Sequence, residues 1–221
     1  TDLVLADISA QGGDLVRLEL LRHKANEKQD GNFVLIDPAH LYAAQSGLIG
    51  TGLPNHKSVW KLPAGALEMK DDASELRVAL EAPIEGGGKV IKTYVFKRGS
   101  YLVDVEHQVV DASPPAGAHA YFQLTRDDKT LEQAGGMGTS TFTGAAIYTD
   151  QDKFKKVEFK DFNEKNKHPA KADNGWVAMV QHYFFSAWLP ANGEREYFTR
   201  KLGGDHYAAG VVMPLADKLT V

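Results

Sequence analysis

Cysteine is absent from this chain of 221 residues. A disulfide scaffold, a thiolate zinc site and a cysteine nucleophile are therefore excluded. The compartment stays open, because a cysteine-free chain suits the cytosol and also an oxidising space, where it avoids mispairing. A large excess of one charge sign is missing as well. The net charge of −4 gives no broad basic footprint for nucleic acid or anionic lipid. The local run Lys153-Phe154-Lys155-Lys156 is balanced by Glu158, Asp161 and Glu164 and reads as a solvated face. Long hydrophobic runs are also lacking. The most apolar stretch, Gly175 to Pro190 (GWVAMVQHYFFSAWLP), has 16 residues with Gln181 and His182 at its middle, whereas a membrane span needs about 20 apolar residues.

The usual signatures of catalysis are missing too. No G-x-S-x-G announces a serine nucleophile, and the serines in Gln45-Ser46-Gly47 and Gly138-Thr139-Ser140 read as turn residues. Eight histidines occur, but none form H-E-x-x-H or the close spacing of a metal site on one element. His107 and His119 fall on strands predicted to be neighbours and are the one pair weighed as metal ligands. Gly86-Gly87-Gly88-Lys89 lacks the phosphate-loop pattern and a following helix, so it reads as a hairpin turn. Carboxylate pairs for glycoside hydrolysis are defined by separation in space, which sequence does not carry. These residues support no enzyme assignment and imply no cofactor. The chain shows no secretory signal, starts at Thr1 without methionine, and stops in the strand-like run Asp217 to Val221. It is expected to be a piece cut from a longer protein.

What is present is a core and an alternation. Hydrophobic residues make up 43% of the chain, enough for a packed interior. Leu3 to Ile8, then Asp14 to Leu21 around Gly12-Gly13, predict a hairpin with a bulge near Asp7. Phe33 to Ile36 predicts a short strand, and Glu75 to Ala82 alternates with period two. Lys89 to Lys97 and Tyr101 to Val110 flank Arg98-Gly99-Ser100 and predict a second hairpin. Further strands are expected at Ala118 to Thr125, Thr139 to Thr149, Lys155 to Phe162, Glu196 to Arg200 and Tyr207 to Met213. Asp127 to Ala134 suggests about two helical turns with an aspartate cap. As one strand, Gly175 to Pro190 would run about 50 Å, so a break near Gln181-His182-Tyr183 is expected, with its aromatics in the core. No linker or repeat divides the chain, and residues 1–221 are expected to form one all-β domain, a sandwich or barrel.

Five motifs occur in order along the chain: Gly12-Gly13-Asp14; Ala44-Gln45-Ser46-Gly47-Leu48; Phe96-Lys97-Arg98-Gly99-Ser100-Tyr101; Phe142-Thr143-Gly144-Ala145-Ala146-Ile147-Tyr148; and Gly175-Trp176-Val177-Ala178-Met179 with Gln181, Tyr183-Phe184, Ala187-Trp188 and Pro190. Together they resemble the large periplasmic domain of bacterial YidC membrane protein insertases, over essentially the whole chain. The resemblance implies a twisted β-supersandwich similar to galactose mutarotase and other sugar-binding domains. It implies a periplasmic domain of an inner-membrane protein, with the transmembrane helices and the insertase core lying outside this sequence. It also implies a non-catalytic accessory that contacts the SecDF part of the Sec translocon around Phe142 to Phe159, where Phe142, Tyr148, Lys153, Lys155, Lys156 and Phe159 are the candidate contact residues. Nascent membrane proteins are the other implied partners, and the isolated domain is expected to be a monomer. Gly12, Gly13, Arg98, Gly99, Gly144, Gly175, Trp176, Tyr183, Trp188 and Pro190 are assigned to fold maintenance, with Gly99 and Gly144 at turns and Trp176 and Trp188 in the core. Two alternatives stand beside this one. A carbohydrate-binding or mutarotase-like domain would use its three tryptophans to stack on sugars, though fold analogy is a weak warrant. A chaperone-like surface would hold emerging peptide in an apolar cleft.

Overall fold

The alternating runs become strands in the computed structural model, which describes residues 1–26, 29–65, 67–129, 142–164, 167–181, 183–216 and 218–221. These are β1 (Val4–Ile8), β2 (Leu15–Asn26), β3 (Gln29–Ile36), β4 (Ala43–Ile49), β5 (Glu75–Pro83), β6 (Lys89–Lys97), β7 (Val103–Val110), β8 (His119–Asp127), β9 (Gly144–Thr149), β10 (Lys153–Val157), β11 (Lys171–Ala172), β12 (Trp176–Gln181), β13 (Phe184–Trp188), β14 (Arg195–Gly203), β15 (His206–Pro214) and β16 (Lys218–Thr220). Every pairing between them is antiparallel. The fold is all-β, and among the described residues no helix is long and apolar enough to cross a membrane.

One large sheet has the order β1-β2-β4-β8-β15-β14-β11, with β3 paired to β2. Two four-stranded sheets, β10-β9-β12-β13 and β16-β7-β6-β5, lie against it. The alternation of strand side chains builds the interface. Register brings Leu48, Ala120 and Met213 into line, then Phe122 and Val211, then Ala44, Leu124 and Ala209, and all of these are core residues. Each small sheet answers with its own inner face: Val105 and His107 from β7, and Ile147, Val177 and Met179 from β9 and β12. The Phe122 ring touches His107 of one small sheet at 5.5 Å and Trp188 of the other at 5.2 Å.

The β1–β2 hairpin carries the expected irregularity at Asp7/Ile8, and Gly12 and Gly13 turn it with φ of 77° and 59°. Several expectations need correction. Gln45-Ser46-Gly47 is mid-strand in β4, because its backbone pairs with Gln123, Phe122 and Tyr121. The Lys155–Phe162 run leaves the sheet after Val157, and Phe159 begins a short 3-10 turn. Asp127 ends β8; the rest of the expected helix, from residue 130 on, lies outside the described residues, as do Gly138, Thr139 and Ser140. His107 and His119 sit in different sheets. His107 faces the Ser46 hydroxyl at 3.3 Å, and His119 lies 2.8 Å from the Gly117 carbonyl. Gly175–Pro190 does divide, giving the β12–β13 hairpin. Its aromatics are not uniformly core. Trp188 is buried, Trp176 and Phe184 are half-buried, and Tyr183 and Phe185 are exposed, because β13 is an edge strand and Tyr183 occupies the turn with φ of 66°.

Buried cations join the layers. Lys92 of β6 is fully buried and donates to the carbonyls of Gly12, Gly13 and Ser46 at 2.7, 3.3 and 2.9 Å. Its Nζ lies 3.9 Å from Asp14 Oδ1 and 4.7 Å from the Trp60 ring. Arg126 is also fully buried and bonds Gln181 at 2.7 Å, while Gln181 donates to the Leu35 carbonyl. Arg195 gathers the carbonyls of Gly175, Pro190 and Asp173, which fixes both ends of the Gly175–Pro190 stretch.

Burial pushes the Asp14 carboxyl up to about 6, against the pull of the Lys92 ammonium and the Gln45 amide. Its folded value thus exceeds its unfolded one. Its stabilising contribution is complete below the unfolded value and is lost as pH rises through about 6. Lys92, which burial lowers to about 8, stays charged across that window. Urea unfolding of the chain and of Asp14→Asn between pH 4 and 7 should show the difference between them shift against the native residue by about 3 kcal/mol. A pH-independent difference would mean that Asp14 stays ionised throughout.

Candidate interaction face

The face of the β10-β9-β12-β13 sheet turned away from the core carries the residues best suited to contact another molecule. β10 is one of its two edge strands and, among the described residues, pairs only with β9. Phe154 and Trp176 both lie opposite Tyr148, so the three rings form a cross-strand row. Tyr148 and Trp176 stack at 5.9 Å, and Phe154 meets Trp176 at 6.0 Å. The next row is Lys156, Ala146, Ala178 and Ala187, followed by Gly144, Val180 and Phe185. Phe154 is 50% exposed and Phe185 63%. The Lys156 ammonium rests 4.9 Å from the Phe142 ring centroid, a cation–π contact.

Two glycines let this sheet close. A Cβ on Gly144 would stand 2.7 Å from the Val157 carbonyl oxygen and 2.8 Å from the Phe142 ring. Gly144 opens β9, so close approach of its neighbours, not a turn, is what demands glycine there. Gly175 precedes β12 with φ of 101°, and a Cβ there would lie 1.9 Å from the Tyr148 carbonyl oxygen.

The structure divides the candidate contact residues. Phe142, Tyr148 and Lys156 share the outer face. Lys153 and Lys155 are exposed on the opposite side of β10, the side on which Val157 enters the core. None of the three lysines has a carboxylate partner among the described residues. Phe159 faces inward, with its ring 5.1 Å from Phe162 and 4.9 Å from Tyr207. Two members of the face were not among the sequence candidates. Phe154 lay inside the lysine run, and Trp176 was assigned to the core. Their partnership with Tyr148 depends on the strand register. Of the remaining motif residues, Arg98 holds the carbonyls of Ala73 and Lys70 at 2.9 and 2.6 Å, Gly99 turns with φ of 70°, and Pro190 is buried.

A second feature is an apolar cleft of about 500 Å³ between the sheets. Leu18, Leu20 and Leu124 line it from the large sheet, β13 borders it, and Val103 and Val221 line it from the other small sheet. Tyr101, Leu102, Phe185 and Leu189, all also lining, are exposed by 47 to 63%. Among the described residues no group of three or more acidic or histidine side chains is placed to hold a metal ion.

Similarity to known proteins agrees with this geometry. The profile of the YidC periplasmic domain family matches residues 1–218. The membrane protein insertase YidC of Aromatoleum aromaticum is 54% identical over 221 residues, covering 98% of this chain and 40% of its own length. That of Dechloromonas aromatica is 50% identical with the same coverage, and that of Nitrosospira multiformis is 44% identical, with 39% of its length covered. The chain thus spans about two fifths of the length of these relatives. An all-β chain matched almost end to end by this profile belongs to the YidC periplasmic domain family, and so to the periplasmic side of an inner-membrane protein.

Proposed function

We propose that this chain is a non-catalytic accessory domain of a YidC-type insertase, which aids insertion and folding of inner-membrane proteins by contacting SecDF through the outer face of the β10-β9-β12-β13 sheet. The observation that carries this reading is the row Phe154–Tyr148–Trp176 on the outer face with Lys156 beside it, at an edge strand whose other side exposes Lys153 and Lys155. Half-exposed aromatic side chains are enriched at protein interfaces, and charges at their rim steer the encounter with a partner of opposite sign. Changing Lys153, Lys155 and Lys156 together to Glu in the full-length insertase should abolish co-purification of SecDF. Phe154→Ala alone should weaken it about tenfold. Unchanged co-purification in the triple variant would place the contact elsewhere.

The apolar cleft supports a second reading, in which the domain holds stretches of emerging substrate. Exposed apolar surface of this kind is uncommon without a partner. The carbohydrate reading has less support, since Trp60 and Trp188 are buried at 1% and 6% exposure, leaving one tryptophan to stack on a sugar ring.

A further inference from the structure

We infer that β10 takes a further strand on its free edge, and that this strand is an extended acidic segment of a partner protein. This rests on the reading that the β10-β9-β12-β13 sheet is the contact face. It assigns that face a binding mode, and the partner a charge and a conformation.

Three features of β10 carry it. The strand ends its sheet, and among the described residues it pairs only with β9. In such a strand alternate backbone N–H and C=O groups point away from the one neighbour. The second feature is exposure. Lys153, Phe154, Lys155 and Lys156 are all exposed, although Lys155 lies on one face and Phe154 and Lys156 on the other. β10 thus stands clear of the rest of the fold on both faces, and within it only Val157 enters the core. The third is preorganisation. Lys153 closes the turn before the strand with φ of 60°. That turn is tied down, since the Asp152 amide donates to Thr149 Oγ1 at 3.0 Å and the Asp150 amide to Asn174 Oδ1 at 2.8 Å. A strand already held extended loses little freedom on pairing.

Charge selects the occupant. Lysines farther along the chain are neutralised internally, Lys160 by Glu158 at 2.6 Å and Lys171 by Glu196 at 2.7 Å. The three lysines of β10 have no such carboxylate among the described residues. A second copy of β10 would bring lysine against lysine, and like charges directly opposite repel. Lysine on an edge is a usual guard against self-addition. An acidic strand instead gains cross-strand ion pairs and is steered to the site. Antiparallel addition, the more stable arrangement, reads Lys156, Lys155 and Phe154 in that order along the incoming chain. It calls for acid, acid, apolar. The apolar residue would extend the row Phe154–Tyr148–Trp176 by one strand.

The test uses the 221-residue chain and a capped peptide, Thr-Glu-Glu-Val-Glu-Thr. A second peptide has glutamine in place of each glutamate. Two analogues of the parent carry N-methyl groups on one or the other alternate set of amides. The parent should bind, slow hydrogen exchange at alternate β10 amides, and outbind the glutamine peptide about tenfold. One methylated analogue should bind about tenfold more weakly or worse and the other like the parent, because only one edge of the added strand is bonded. Both analogues equal to the parent, or β10 exchange unchanged, overturns the strand addition and leaves the contact face intact. Equal binding of the glutamine peptide overturns the assigned charge. No binding of the parent at about 1 mM, a weak limit on the affinity scale, overturns the inference. So does a dimer formed through protected β10 amides, which gives the edge to a second copy. The contact-face reading fails separately: unchanged SecDF co-purification in the triple lysine variant overturns it, and strand addition to the isolated chain then stands with another partner.

Discussion

Lys92→Met is expected to destabilise the chain by about 3–5 kcal/mol, the range for breaking a buried ion pair from one side. Methionine nearly conserves volume, so little cavity cost enters. What is lost is chemistry. The carbonyls of Gly12 and Ser46 lose the ammonium donor, while that of Gly13 keeps the Tyr94 hydroxyl at 2.7 Å. Asp14, whose Oδ1 has no hydrogen-bond partner among the described residues, loses its nearby cation. Each buried acceptor left unmet costs about 1–3 kcal/mol. Because these groups lie in the β1–β2 turn and in β4 while Lys92 lies in β6, the loss separates two sheets. Lys92→Arg should not rescue, because the planar guanidinium does not replace a compact ammonium in a closed site. Adding Asp14→Asn to Lys92→Met should restore about 1–3 kcal/mol, a coupling expected for residues in one network. Urea unfolding of the four chains of this cycle measures both terms, and a Lys92→Met cost below about 1 kcal/mol would show that the site is open to water.

Gly175→Ala should cost about 4 kcal/mol or more, at the severe end of single substitutions. Its Cβ would overlap the Tyr148 carbonyl oxygen at 1.9 Å, and its φ of 101° is unfavourable to any residue with a Cβ. The neighbouring atom is backbone in β9, so relief requires β9 and β12 to move apart. That movement would unstack Tyr148 from Trp176, and tryptophan emission should shift to the red. Gly99→Ala is the control. It has φ of 70° but open space around its Cβ position, so only the left-handed backbone penalty of about 1–2 kcal/mol applies. Equal losses in the two variants would show that the close approach to Tyr148 carries no weight.

Local pattern revealed the hairpins. Two glycines at 12 and 13, and the Arg98-Gly99-Ser100 turn between β-branched runs, each announce a reversal whose strands are neighbours in the chain. The Asp7 bulge was legible for the same reason. Trp176 was misassigned because a tryptophan in an apolar run carries no mark of which sheet face it will occupy. Phe159 was misplaced because the alternation through Val157 gives no sign that the next residues leave the sheet for a 3-10 turn. The lysine at 92 looks like any other in a strand with charged ends. Its burial follows from the turn at Gly12-Gly13 and from β4 closing over it, far away in sequence.

By itself, then, the sequence determined the class of fold, the positions of most strands and turns, and the family, through glycines and apolar alternation that act between neighbours along the chain. Tertiary structure alone decided which residues stand together: Phe154 with Tyr148 and Trp176, and Lys92 with three carbonyls. The physical reason is that strand register and sheet stacking join residues tens of positions apart, and the free energy of those contacts belongs to no local segment.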